Sequence, residues 1–283
     1  MPTATRISRF DHDGLFFNVR DTGPLDGDIV VLLHGFPQTA SSWDAVSAEL
    51  HARGYRTIAP DQRGYSPGAR PRGRSAYRGS KLVADTVALI SSLQAGPVHL
   101  VGHDWGASVA WMTAALRPEL VRTLTTVSVP HPVAFLASML SSDQLLRSWY
   151  MFFFQLPWLP EWLMRQKSPL AERMLTGTGM SARQSEQFRI EILDGGALHG
   201  ALNWYRGMFL SRNAGLLRKV PVPTTHVWSS RDQVLSRRGA ELTRNYVTGP
   251  YTLRIMPGVS HWVPEQAPQE LAAIIVDTMR LAA

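Results

Sequence analysis

The chain has 283 residues, enough for two small domains or one large α/β domain with an insertion, and its 45% hydrophobic and 18% charged content excludes disorder as the main state. It has no cysteine, which removes disulfide scaffolds, thiolate metal sites, iron–sulfur clusters and cysteine nucleophiles. The net charge of +7 does not point to nucleic acid: all but three of the 29 basic residues are arginine, and the one dense group, Arg70, Arg72, Arg74 and Arg78, lies among Pro and Gly without interleaved aromatics.

Read in chain order, residues 1–14 lack the apolar run of a secretory signal, so the expected location is cytoplasmic. Residues 16–20 are predicted to form an edge strand in a leading hairpin. Buried strands are predicted at Ile29–Leu33, 55–59, 98–101 and 124–129, with helices at 81–93 and 107–116 between them, the pattern of a parallel sheet with crossover helices. The helix at 81–93 places Leu82, Val83, Thr86, Leu89, Ile90 and Leu93 on one face. From 132 to 219 the pattern changes to a helical insertion that holds 12 of the 26 aromatic residues and no strand. Its most apolar stretch, 149–164, is broken by Gln155, Pro157, Pro160 and Glu161 and does not span a membrane. Strands Thr224–Ser229 and Tyr251–Met256 and helices 237–246 and 269–281 complete the chain. The organisation is therefore a core of residues 1–131 and 220–283 with residues 132–219 inserted.

The chemistry concentrates at strand ends. Gly102-His103-Asp104-Trp105-Gly106 stands where strand 98–101 passes into a helix. In such a nucleophile elbow the central residue occupies a strained corner, and small residues two before and two after it let the backbones come together. The first buried strand ends in His34-Gly35-Phe36-Pro37, and the backbone N–H groups of Phe36 and Trp105 are placed to form an oxyanion hole. Asp232 follows one late strand and His261 the next. Nucleophile, acid, histidine is the order expected of an α/β-hydrolase. Asp61 also follows a strand but sits in a turn-like Asp-Gln-Arg-Gly setting, and His34 and His103 are expected to shape loops. No His spacing suits a metal.

Together with Asp61-Gln62-Arg63-Gly64-Tyr65-Ser66, Val129-Pro130-His131-Pro132, Asn203-Trp204-Tyr205-Arg206 and Gly258-Val259-Ser260-His261-Trp262, these motifs resemble the epoxide hydrolase branch of the α/β-hydrolase fold over nearly the whole chain. The resemblance implies an α/β fold, a mostly parallel sheet flanked by helices, with an inserted helical cap. It also implies two cap tyrosines, matched here by Tyr150 and Tyr205, that donate to the epoxide oxygen. The residue types agree with that chemistry. A serine at the elbow needs deprotonation and attacks carbonyl carbon, whereas an ionised Asp104 suits attack on strained sp³ carbon and leaves an ester. His261 is then the base that activates water, and Asp232 orients it. A serine esterase is set aside because the chain is read as holding no Gly-x-Ser-x-Gly at all.

Phe36, Pro37, Trp105, Phe154 and Trp262 are the expected pocket lining. The expected partners are a small apolar epoxide and water, with no cofactor, no metal and no nucleic acid; homodimerisation is left open. Two rivals remain: a haloalkane or haloacid dehalogenase using the same three residues, and a catalytically degenerate ligand-binding protein. Against the first, Phe36 offers no side-chain donor to a halide, and Trp105 stands where haloacetate dehalogenases usually carry Arg. Against the second, the trio is intact.

Overall fold

Eight strands among the described residues form one sheet in the order β1 (Arg9–His12), β2 (Leu15–Thr22), β4 (Arg56–Pro60), β3 (Ile29–Leu33), β5 (Val98–His103), β6 (Val121–Val127), β7 (Thr224–Ser229) and β8 (Tyr251–Met256). The computed structural model describes residues 5–166, 169–210 and 218–282. β1 and β2 are antiparallel, β2 meets β4 antiparallel, and all later pairings are parallel. β4, β5 and β7 are buried throughout, as expected of strands covered on both faces. Because β3 lies between β4 and β5, the strand order reverses there, and the carboxyl ends of β3 and β5 flank the crevice where open α/β sheets bind ligands.

Helices cover both faces. Trp43 and α1 (Asp44–His51) pack with α13 (Pro268–Met279) on one side, through Val46, Leu50, Leu271, Ile275 and Met279. On the other, α2 (Gly79–Ser92) buries Leu82, Val83, Thr86, Leu89 and Ile90, the face expected from a 3.6-residue period. Beside it α3 (Trp105–Leu116) is buried almost all round, and its Ala-rich surface lets it lie close to the sheet.

The leading strand departs from expectation. Residues 16–20 are not at an edge, because β2 pairs with β1 through Leu15 to Asn18 and with β4 through Val19 to Thr22. β1 escaped notice because Arg9-Phe10-Asp11-His12 buries only Phe10 and otherwise reads as a polar turn. The strand expected at 124–129 lies at Val121–Val127, since only Arg122 in it is exposed.

Between β6 and β7 the described residues hold no strand. They form α4 (Pro132–Ser141), α5 (Gln144–Arg147), α6 (Trp149–Phe153), α7 (Leu159–Arg165), α8 (Pro169–Thr176), α9 (Ala182–Phe188), a π-helical turn (Arg189–Asp194) and α10 (Leu198–Met208). Residues 167–168 and 211–217 of the expected insertion lie outside the described residues. α10 rests on the core where Gly200 meets the backbone of Gly64, a contact that leaves no room for a Cβ on either, and the Trp204 indole N–H donates to the Arg63 carbonyl at 2.7 Å. The expected helix at 237–246 is α11 (Arg237–Leu242) followed by a 3₁₀ turn, and α12 (Val263–Gln266) precedes α13. No described helix is long and apolar enough to cross a membrane.

Candidate active site

Asp104 sits at the turn from β5 into α3 with φ 51° and ψ −123°, a conformation that L-residues avoid and that the surroundings must enforce. The enforcement is steric. A Cβ at Gly102 would overlap the Gly106 carbonyl, one at Gly106 would overlap the Leu33 carbonyl, and one at Gly35 would overlap the Asp104 side chain. The corner presents the Asp104 carboxylate to the end of β3, where Oδ1 accepts the Phe36 N–H at 2.8 Å. The Trp105 N–H, the first of α3, also favours the ionised form of this carboxylate. Burial pushes the Asp104 carboxyl up, but the hydrogen bond and charge of His261 and the Trp105 N–H outweigh it and hold the group below the usual carboxylate range.

His261 follows β8 and faces two carboxylates. Its Nε2 lies 3.5 Å from Asp104 Oδ2, and its Nδ1 lies 2.9 Å from Asp232 Oδ2. Asp232 follows β7, and its Oδ1 accepts the N–H groups of Val234 and Leu235, each at 2.8 Å. Burial alone would lower the His261 pKa; Asp232 and Asp104 reverse that and raise it to about 10. The His261 carbonyl accepts the Ser128 hydroxyl at 3.2 Å and His103 Nε2 at 2.9 Å. A carbonyl only accepts, so His103 carries its proton on Nε2. Burial, and then the charge of His261, hold the His103 pKa down at about 4 and keep its ring neutral.

The competing acid is elsewhere engaged. Asp61 Oδ1 accepts the Ala40 N–H at 3.0 Å, while His34 accepts the Gln62 N–H on Nε2 at 3.1 Å and so donates Nδ1–H to the Gly35 carbonyl at 3.1 Å. Both shape the loop that carries Phe36. The expectation that the chain lacks Gly-x-Ser-x-Gly is wrong: the spacing occurs once, at Gly64-Tyr65-Ser66-Pro67-Gly68, away from the elbow. There Ser66 is buried in a turn after β4, donates to the Phe16 carbonyl at 3.1 Å and accepts the Asn18 N–H at 2.9 Å.

Tyr150 and Tyr205, 55 positions apart in sequence, come together over Asp104 with ring centroids 5.9 Å apart. Burial, reinforced by the Asp104 charge, pushes both phenols well above their ordinary range, so both stay protonated. Two cavities meet at Asp104, Tyr150 and Tyr205. One, of about 270 Å³, is lined by Phe36, Pro37, Phe154, His261 and Trp262 among others; the second, of about 150 Å³, runs past Trp105, Met112, Phe135 and Met208. Of the residues expected to line a substrate pocket, Phe36, Pro37, Phe154 and Trp262 border the first cavity and Trp105 the second.

Sequence reading missed the residues that hold these groups in place. Arg206, buried on α10, donates to the Phe154 carbonyl at 2.9 Å and the Leu156 carbonyl at 2.7 Å and pairs with Glu161 at 2.6 Å, tying α6 and α7 to the helix that carries Tyr205. Gln144 donates to the Val234 carbonyl at 2.9 Å and accepts the Ser236 N–H at 2.7 Å, and Arg147 donates to the Asp232 carbonyl at 2.9 Å. The only sequence signal was Arg206 standing next to a motif tyrosine. Among the described residues no three His, Cys, Asp or Glu side chains converge as metal ligands.

Comparison with known proteins finds relatives over most of the chain. The profile of the Alpha/beta hydrolase family matches residues 30–274. AB hydrolase superfamily protein YfhM of Bacillus subtilis (strain 168) is 32% identical over 279 residues, 95% of this chain and 96% of its own. Epoxide hydrolase 2 of Caenorhabditis elegans is 36% identical over 263 residues, 88% of this chain and 73% of its own. The crystal structure of epoxide hydrolase VrEH1 from Vigna radiata superposes with a TM-score of 0.82 at 29% identity, covering 96% of each chain.

Proposed function

The chain belongs to the alpha/beta hydrolase family, in its epoxide hydrolase branch, and from that premise we propose that it opens an apolar epoxide to a vicinal diol through an ester on Asp104. The observation that carries the reading is an aspartate, not a serine, at the strained elbow, with one oxygen held by Phe36 N–H and the other facing His261 beneath two protonated tyrosines. Residues 132–219 act as the cap that brings those tyrosines over the acid.

In the first step Asp104 Oδ2 attacks an epoxide carbon, the C–O bond of the ring breaks, and the released oxygen takes a proton from Tyr150 or Tyr205. In the second, His261 takes a proton from water, which attacks the ester carbonyl. The oxyanion falls to the N–H group of Phe36, already on Oδ1, and to that of Trp105 at the start of α3. Collapse expels the diol oxygen, which recovers a proton from His261, and the proton left on Asp104 balances the one the tyrosine gave. Asp232 holds the imidazole and stabilises its charged form. The lining offers no halide donor at Phe36, and no observation favours a dehalogenase.

The experiment is trapping. His261→Gln incubated with an epoxide accumulates an adduct of enzyme plus substrate mass on Asp104, and a single turnover of wild type in ¹⁸O-water labels Asp104, not the diol. A variant that consumes substrate without an adduct sinks the ester. The substrate class has its own check: Tyr205→Phe slows alkylation by an epoxide about 10²-fold and leaves a matched bromoalkane unaffected. A wild type that prefers the bromoalkane returns the tyrosines to packing.

A further inference from the structure

The helices between β6 and β7 turn an apolar face outward. On α4, Leu136 and Leu140 are exposed, Leu140 to 92%; α5 adds Leu145 and Leu146, the latter to 77%; α6 adds Trp149 and Phe152, both more than half exposed. The three helices follow one another in space as in sequence. Two of the six residues also belong to the cavities, Leu136 to the one of about 150 Å³ and Trp149 to the one of about 270 Å³. The outer face is thus continuous with both arms of the site.

The inserted region is cationic. Residues 132–219 carry ten basic and six acidic side chains, +4 of the chain's net +7, and Asp143 and Glu161 are paired, with Arg147 at 2.8 Å and with Arg206 at 2.6 Å. Arg165 on α7, and Arg173 and Glu172 on α8, are exposed and make no ion pair among the described residues, and Arg173 lines the same cavity as Trp149. A contact between two copies would set two such cationic surfaces against each other in a chain of net charge +7, which is unfavourable. An anionic bilayer attracts those arginines and accepts Trp, Phe and Leu side chains at headgroup depth.

We propose that the α4–α6 face docks on an anionic phospholipid surface, with the cavity mouths turned toward the membrane. Docking stands apart from the reaction. The consequence that an apolar substrate reaches Asp104 from the bilayer rests on the epoxide reading.

The test uses the full chain and vesicles, without substrate. Sedimentation with phosphatidylcholine vesicles containing about a third phosphatidylglycerol carries the protein down, pure phosphatidylcholine does so weakly, and added salt releases it. Leu140→Gln with Leu146→Gln, both remote from Asp104, weakens binding by about tenfold or more and leaves turnover of a water-dissolved substrate unchanged. Binding indifferent to vesicle charge, or to that double variant, overturns the proposal. So does a dimer in sedimentation velocity that the double variant dissolves, which makes a second copy the occupant.

Discussion

His261 stands between two carboxylates, and its basicity depends on both. Burial opposes its charge, yet Asp232 and Asp104 raise its pKa to about 10, so in the free enzyme the ring is protonated at neutral pH. In the proposed reaction, esterification removes the Asp104 charge, and with it part of that rise, so the imidazolium can pass its proton to the tyrosinate left by ring opening and then act as a base when water must be activated. The two steps should therefore differ in pH dependence. Alkylation needs ionised Asp104 and protonated tyrosines, both present across about pH 5–9, and its single-turnover rate should be flat there. Ester hydrolysis should rise with pH along a limb below the free-enzyme value of about 10. Stopped-flow tryptophan fluorescence resolves the two, and parallel profiles would refute the argument. Stability follows the same shift with a definite sign. A histidine raised from about 6.5 contributes stability that is complete below that pH and is lost as pH climbs through about 10. Asp104→Asn should move this loss to lower pH in thermal unfolding.

At the scale of elements, strands were legible where residues are buried on both faces, because short apolar or β-branched-rich runs such as Ile29–Leu33 and Thr224–Ser229 leave little alternative. β1 was not, since a short polar strand takes its identity from a partner. The elbow and the order of Asp104, Asp232 and His261 were legible because strained turns demand glycines at fixed spacing. What sets Tyr150 against Tyr205 was not, because Arg206 and Glu161 are ordinary charged residues until the fold buries them together. Burial raises Glu161, but the Arg206 hydrogen bond and charge prevail and hold its carboxyl low. The stability it contributes is present above its unfolded pKa and lost as pH falls through the lower folded one. Glu161→Gln should cost about 1–3 kcal/mol, less than a fully enclosed pair because Glu161 keeps some solvent contact. It should also slow alkylation more than ester hydrolysis, since α6 and α10 carry the tyrosines; equal slowing of both steps would contradict this.

Across the whole molecule, the inserted helices do more than cover the sheet. The chain leaves the core after β6, and α5 then grips the turn after β7 that holds Asp232: Gln144 binds Val234 and Ser236, and Arg147 binds the Asp232 carbonyl. That turn supplies the two N–H groups on Asp232 Oδ1, so the insertion and the acid share one hydrogen-bonded frame. None of this was visible in sequence, because Gln144 and Ser236 gain meaning only from a contact spanning 92 positions. The tyrosines stand on α6 and α10, whereas α5 reaches the acid, which separates the two halves of the chemistry by helix. Gln144→Ala leaves the buried Ser236 N–H and Val234 carbonyl short of partners, at a cost of about 1–3 kcal/mol, or roughly 2–4 °C in melting temperature for each kcal/mol. With Asp232 less firmly held, His261 loses its orienter while Asp104 keeps its N–H donors. The variant should therefore form the ester at nearly the wild-type rate and release it several-fold more slowly, so that the adduct becomes visible by intact mass in the steady state. An adduct no more abundant than in wild type, with both steps equally slowed, would mean that α5 supports the cap alone and that Asp232 is held by its own turn.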